Sequence, residues 1–589
     1  MTLPSPQVST PAVGGIISSL NKNSWILVFS FILCAYMLFG RLGGLALISP
    51  DEGRNAEVAR EMSQSNSWLV PTYDGLVYLD KPAFYFKTVA LSFSMFGESE
   101  GVARLSSAFF GFSLLVVVFL FCQKMYDRRT ATLAVLIVAT TPLYIAFSRI
   151  VIFDMTLAFF VSSTIFSCFL AEECEGKQQI RWYLLGALLA GFATLVKGPV
   201  GFIIPTLVIA VFNGFEGRLG AMKRAFALRN WAVFLAVVLP WFVGLSMLRP
   251  DFPYYGIMRE SIARFSTTEF HRTAPFYYYA PIIAATFFAW SFLLPESVFA
   301  AWQQRKRWTR ADRLFVVWAI VVVLFFSVSQ SKLPGYILTA VMALGVLTAR
   351  VFAAALNNDN GRAARILRHG TIPLLLLSLI AALVLGAIAF NPELLKNMLT
   401  SKHESVKLFI PTFLPLALSF GIVAILSITA LWTRNSRLIL AAFMSFPVLL
   451  LTVNFDVLSI YAQTRSSRNL AKNIPTTLPP VTELACMLCL PNGLPFYLKR
   501  QVTVLSNAGD ELTSNYVIFT LHSGKPWPEG IVPIGQWHDW LATRTHPVYL
   551  IADKSLLSIL KSIAVERGVD VTDLGYNYWA VLLPTPTGN

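Results

Sequence analysis

Long apolar runs separated by short polar stretches fill the first three quarters of the chain, and the pattern changes after residue 453. A window of about 19 residues, matched to a hydrocarbon core of roughly 30 Å, predicts thirteen spanning helices. They fall at 25–47, 102–123, 131–147, 153–170, 182–196, 200–212, 230–248, 276–295, 314–329, 335–349, 371–390, 408–432 and 438–453. Segments 182–196 and 200–212 lie so close that a merger there would invert everything downstream. Beyond 453 the apolar runs shrink to strand length and alternate with helix-like stretches. Val481–Ala485, Val502–Leu505, Tyr516–Thr520, Val548–Ala552 and Tyr578–Leu583 read as strands, and Lys554–Arg567 as a helix stopped by Gly568. The expected organisation is a cytoplasmic tail over 1–24, a membrane region over 25–453 and a small extracytoplasmic α/β domain over 454–589.

Composition agrees with that division. With 55% hydrophobic and only 13% charged residues in 589, the chain has too little charge to cover a soluble surface, so it is expected to be a polytopic α-helical membrane protein. With the N-terminus inside, the inner loops carry about twice the Lys/Arg density of the outer ones, as the positive-inside rule requires. The net charge of +15 is then mostly topology and attraction to an anionic inner leaflet, and is no argument for nucleic acid. The N-terminal stretch lacks a cationic start and a small-residue cleavage site, so the first span is expected to stay as an anchor. An odd number of spans puts the C-terminal domain outside. Its Cys486 and Cys489 could pair if that side is oxidising, or lie inert; a lone Cys-x-x-Cys is weak evidence for zinc.

Ionisable residues gather at the outer ends of these spans. Ser49-Pro50-Asp51-Glu52 reads as a capping box opening a helix through about Met62, which puts Asp51 and Arg54 on one face. Tyr78-Leu79-Asp80-Lys81-Pro82 sets a cation among aromatics: either it snorkels or pairs with Asp80, or it meets the phosphate of a lipid carrier. Arg149 and Asp154 bracket the next outer turn, as a structural ion pair or as functional groups. Lys197-Gly198-Pro199 and Ser331-Lys332-Leu333-Pro334-Gly335-Tyr336 add cations at the same height. Loop 249–275 adds Arg259, Arg264, Glu269, His271 and Arg272, where His271 beside Glu269 reads as solvated surface or as a metal ligand. Separated positive charges of this kind suit the expulsion of a phosphate leaving group.

In order along residues 25–350, Asp51-Glu52-x-Arg54, Ala56-Glu57-x-Ala59-Arg60-Glu61-Met62, Trp68-x-Val70-Pro71, Leu79-Asp80-Lys81-Pro82, Gly101-x-Ala103-Arg104-Leu105, Lys197-Gly198-Pro199, His271-Arg272-x-x-Pro275-Phe276 and Lys332-Leu333-Pro334-x-Tyr336 resemble the bacterial 4-amino-4-deoxy-L-arabinose transferases. Those enzymes belong, with protein O-mannosyltransferases, to the GT-C or dolichyl-phosphate-mannose-protein mannosyltransferase superfamily. The resemblance implies a multi-span glycosyltransferase with interfacial helices in its first outer loop, an active site at the outer face of a bacterial inner membrane, and a periplasmic C-terminal domain. It implies an undecaprenyl-phosphate sugar as donor and co-substrate, and lipid A or another lipid, glycan or protein as acceptor. By resemblance Asp51 and Asp154 are catalytic, and Lys81, Arg272, Tyr336, Tyr78, Arg54 and Lys332 bind the donor and its carrier phosphate. Glu52, Asp80 and His271 are the candidates for a divalent cation. Asp80 stands where those transferases have Glu, which puts a metal site relying on it in doubt, and Gly53 stands where Thr is typical; Gly335 departs likewise. A protein or glycan O-glycosyltransferase, a flippase for lipid-linked sugars and a non-catalytic scaffold are the competing readings.

Overall fold

The computed structural model describes residues 24–268, 272–396, 407–524 and 526–585. The expected cytoplasmic tail lies almost wholly outside these, as do Glu269 and His271. Every one of the thirteen apolar segments contains helix. Among the described residues nine helices are long and apolar enough to cross a membrane, and up to twelve if each of three bent pairs counts as one span. The remaining segment, expected at 200–212, is the 16-residue helix Val200–Phe215, shorter than a full span. It does not merge with its predecessor: Gly198 takes a left-handed φ of 72° that ends Gly176–Lys197, and Pro199 precedes the next helix. The protein is a multi-pass helical membrane protein with a C-terminal sheet domain.

Four helices frame the outer loops: α1 (Ser24–Phe39), α2 (Asp51–Ser65), α3 (Phe84–Phe96) and α4 (Glu100–Met125). The capping box expected at Ser49 does not form. Pro50 occupies the N-cap without a side-chain bond, Ser49 Oγ is buried with no partner, and Glu52 instead accepts from the Ile48 amide at 3.0 Å. Glu52 is drawn back because Arg104 of α4 holds both its oxygens, leaving it unable to cap Ser49. Between α2 and α3, Thr72–Tyr73 (β1) and Leu76–Val77 (β2) form a hairpin.

In the C-terminal domain the mixed sheet runs β5-β4-β3-β6-β8-β7, with β3 Glu483–Met487, β4 Thr503–Ser506, β5 Ile531–Pro533, β6 Val548–Asp553, β7 Val571–Gly575 and β8 Tyr578–Leu583. Strands β5, β4, β3 and β6 are parallel; β8 and β7 are antiparallel. The period-2 alternation of β3 sends Ala485 and Met487 to one face, under Leu560, Ile563 and Ala564 of helix Leu557–Arg567. Leu484 and Cys486 face the other way, into the core shared with the membrane region. Gly568 ends that helix in the left-handed conformation, φ 63°. Tyr516–Thr520, expected as a strand, is helical (Asn515–Leu521) because Ser514 caps it, accepting from the Val517 amide. Strands β5 and β7 were too short and polar to stand out. Cys486 and Cys489 are buried free thiols.

Candidate active site

The start of α2 is fixed from beneath and from the side. Arg104, 1% exposed, donates to both oxygens of Glu52 and to the carbonyls of Leu42, Leu45 and Ala46, which uses all five guanidinium donors. Glu52 also accepts from the amides of Ile48 and Val151. With that buried pair holding the helix entry, Asp51 is left outside: its side chain is 54% exposed, and its one charged partner is Arg54 at 2.6 Å. Arg54 in turn donates to the carbonyl and hydroxyl of Thr513, at 3.0 and 2.7 Å, and lies over the Tyr78 ring. Thr513 donates to Asn492, which also accepts from the hydroxyl of Tyr73. The C-terminal domain therefore closes over α2, with Gly493 so near that a Cβ on Gly53 would fall 2.5 Å from its Cα.

Asp80 and Lys81 are adjacent but do different things. Asp80 is buried and accepts from the amides of Asn515 and Tyr516 at 3.0 and 2.7 Å, from Tyr255 Oη at 2.9 Å and from Ser514 at 3.3 Å, so it anchors the first loop to the C-terminal domain. Burial raises its carboxyl above the usual range, reinforced by the nearby Glu260, although Lys81, Arg54 and the Tyr516 amide oppose this. Lys81 turns the other way, donating to the Asp80 carbonyl and pairing with Glu260 of the π-helix Tyr254–Ala263. Arg264 grips the same Glu260 oxygen. Burial lowers the Lys81 ammonium. It also pushes Glu260 upward, but Lys81 and Arg264 together outweigh it and hold that carboxyl below its usual range.

The remaining groups come from helix α5 (Asp154–Glu172) and helix α6 (Gly176–Lys197). Asp154 at the first position of one pairs with Lys197 at the last position of the other, 2.5 Å apart. The Lys197 ammonium lies 4.6 Å from the Tyr336 ring centroid and 5.0 Å from that of Phe153; Lys81 approaches Phe153 to 5.7 Å. Arg264 lies close enough to Tyr336 for its positive charge to attract the phenolic oxygen. Asp51 and Arg54 thus form one pair, Lys81, Glu260 and Arg264 a second group, and Tyr336, Lys197 and Asp154 a third, with Asp80 near enough to Arg54 and Glu260 to feel both charges. Four cations from four separate segments, Arg54, Lys81, Lys197 and Arg264, share this cluster, and such a site suits an anionic headgroup at the end of the spans.

Residues 80–243 match the family described as dolichyl-phosphate-mannose-protein mannosyltransferase. An undecaprenyl phosphate-α-4-amino-4-deoxy-L-arabinose arabinosyl transferase of Aeromonas salmonicida is 31% identical over 373 residues, 62% of this chain and 67% of the relative. That of Aeromonas hydrophila is 31% identical over 382 residues, 64% of this chain and 67% of the relative. The chain belongs to this arabinosyl transferase family. It is a membrane glycosyltransferase. Its fold is that of ArnT from Cupriavidus metallidurans in a crystal structure bound to undecaprenyl phosphate, with a TM-score of 0.81, 24% identity, and 95% and 98% of the two chains covered.

Family membership gives meaning to the positions that depart from expectation. Gly53 meets Gly493, and a Cβ on Gly335 would fall 2.6 Å from Phe147 and 3.3 Å from the Asp154 carboxyl carbon, so both glycines stand where another element comes too close for a side chain. Arg149 does not pair with Asp154: it donates to the carbonyls of Met37, Leu38 and Gly40 and closes the C-terminal end of α1. Lys332 is buried and spends its ammonium on the Ser329 carbonyl at 2.5 Å. The side chain of Arg272 is exposed, and its carbonyl accepts from the Lys332 amide at 3.0 Å. Tyr78 is buried beside Arg54. Every oxygen of Glu52 and Asp80 is engaged by protein donors, and no group of three or more metal-ligating side chains occurs among the described residues; His271 lies outside them. These carboxylates do not offer a donor set for a divalent ion. Sequence reasoning missed Glu260 altogether and left Arg264 and Lys197 as general cations. The four-residue spacing of Glu260 and Arg264 was the available signal.

Proposed function

We propose that this enzyme moves a sugar, 4-amino-4-deoxy-L-arabinose, from undecaprenyl phosphate to an acceptor such as lipid A, at the periplasmic face of a bacterial inner membrane. The observation that carries this reading is the convergence of Lys81, Arg264 and Lys197 around Tyr336 and Phe153, in a chain of this family. Departure of the lipid phosphate from the anomeric carbon builds negative charge, which Lys81 and Arg264 neutralise while Tyr336 donates a hydrogen bond. Asp51, exposed beside the cluster, takes the proton of a hydroxyl acceptor; a base so placed contributes about 10²–10⁴-fold. A phosphate acceptor is already anionic, and Asp51 with Arg54 then orients it. Asp154 holds Lys197 over the Tyr336 ring. A single displacement inverts the anomeric configuration.

Purified protein supplied with undecaprenyl phosphate-aminoarabinose and lipid A should yield lipid A heavier by one aminopentose in mass spectra. The match of residues 80–243 to the mannosyltransferase family supports a second reading, transfer to a protein or glycan hydroxyl. Inert lipid A together with a glycosylated peptide or glycan would select it. Translocation of the lipid-linked sugar without transfer would reject both.

A further inference from the structure

Glu260 is a carboxylate that transfer itself does not use, and it sits between two cations of the cluster, Lys81 and Arg264. A single oxygen of it touches both Lys81 and Arg264, while its other oxygen faces the Asn515 side-chain amide at 3.4 Å. Its side chain is 9% exposed, with Lys81 at 12% and Arg264 at 15%. Two cations converging on one anionic oxygen, with an aromatic hydroxyl alongside, is the arrangement a phosphate oxygen would take. The carboxylate comes from an unusual element. Tyr254–Ala263 is a ten-residue π-helix that gives way to α-helix at Arg264, and π segments of this length are rare and frequent at functional sites. One face of that element carries exposed Tyr254, Ile257, Met258 and Ile262, whereas Glu260 points inward.

We propose that Glu260 is an internal counter-anion: it fills the phosphate position between Lys81 and Arg264 when no donor is bound, and the donor phosphate displaces it. The inference rests on the phosphate-site reading given under Proposed function. Within the cluster Lys81, Arg264 and Lys197 face Glu260 and Asp154, and Asp154 is already committed to Lys197. A phosphodiester arriving with Glu260 in place meets a carboxylate on the same two cations, and like charges at that separation in a buried site repel strongly. Displacement exchanges one anion for another, so neither cation is left buried without a partner at any stage. It also weakens retention of the spent carrier phosphate, because Glu260 competes for the site as the product leaves.

Binding of undecaprenyl phosphate in detergent micelles to the full-length protein, measured by calorimetry for the native chain, Glu260→Gln, Glu260→Asp and Lys81→Ala, tests this. Glu260→Gln should tighten binding about tenfold and strengthen product inhibition by the carrier phosphate, with Glu260→Asp in between. Unchanged or weaker binding by a folded Glu260→Gln, alongside lost binding in Lys81→Ala, would overturn the counter-anion while leaving the phosphate site standing. Undiminished binding by Lys81→Ala would overturn the phosphate site itself. Should Glu260→Gln not fold, Glu260→Asp decides alone: its carboxylate is a methylene short of the cations, and affinity no higher than native would reject the idea.

Discussion

At the scale of single residues, two neighbouring carboxylates make opposite predictions. Asp51 is 54% exposed with one ionic partner, so replacing it removes a proton acceptor without opening the interior. Asp51→Asn should lower transfer by two orders of magnitude or more and leave thermal unfolding within about 0.5 kcal/mol of native. Glu52 is buried and carries both ends of the Arg104 guanidinium. Glu52→Gln leaves that cation unpaired in the core and should cost about 3–5 kcal/mol, visible as a lowered unfolding temperature and poor insertion. If instead Asp51→Asn retained turnover, or Glu52→Gln melted as the native protein does, the division of labour drawn here would be wrong. The sequence motif joins these two residues, and only burial separates the chemical one from the structural one.

At the scale of elements, the close approach of α2 to the loop after β3 gives an asymmetric test. A Cβ on Gly53 would fall 2.5 and 2.7 Å from backbone atoms of Gly493, neither of which can swing aside, whereas a Cβ on Gly493 meets nothing nearer than 3.5 Å. Gly53→Ala should therefore cost about 1–3 kcal/mol and reduce transfer, while Gly493→Ala should do neither, as thermal unfolding and activity of the pair will tell. The same comparison shows what could be read from the chain. Period and length revealed the thirteen apolar segments and the strands Glu483–Met487, Thr503–Ser506 and Val548–Asp553, because burial in lipid or in a parallel sheet leaves an unmixed apolar run, and also the antiparallel strand Tyr578–Leu583, whose aromatic and β-branched residues mark it. They misassigned Asn515–Leu521, where a Ser cap outweighed the β-branched and aromatic composition, and could not show that three crossings are bent. Of the cluster, Lys81 and Tyr336 stood out among aromatics in short outer motifs. Glu260 did not, because its partners, Lys81 and Arg264, come together through a loop 179 residues away as well as one helical turn along.

For the whole molecule, the question is what the C-terminal domain does for chemistry at the membrane. In a parallel sheet, ligands and contacts collect where strand order reverses, beyond the carboxyl ends of the strands. Here that point lies between β3 and β6, and the chain leaving β3 supplies Asn492 and Gly493 to α2. The position of the domain outside the membrane can be checked first: a Cys at Val565, 84% exposed, should react with an impermeant maleimide in intact cells with permeabilised outer membranes, and labelling only after lysis would invert the topology. The coupling itself runs from Asn492 to Thr513 to Arg54 to Asp51. Thr513→Val keeps the volume but removes the hydroxyl that both accepts from Arg54 at 2.7 Å and donates to Asn492 at 2.8 Å. Arg54 then retains only the Thr513 carbonyl and Asp51, and the orientation of Asp51 loosens. Asp80 and Lys81 are held through separate bonds to Asn515, Tyr516 and Glu260, so donor binding has no reason to change. The expected signature is a kcat lower by about tenfold, equivalent to about 1.4 kcal/mol of transition-state positioning, with donor KM unaltered and activity restored in Thr513→Ser. A matching loss in KM would mean the domain acts on donor capture, and an unchanged kcat would mean its contact with α2 is scaffolding alone.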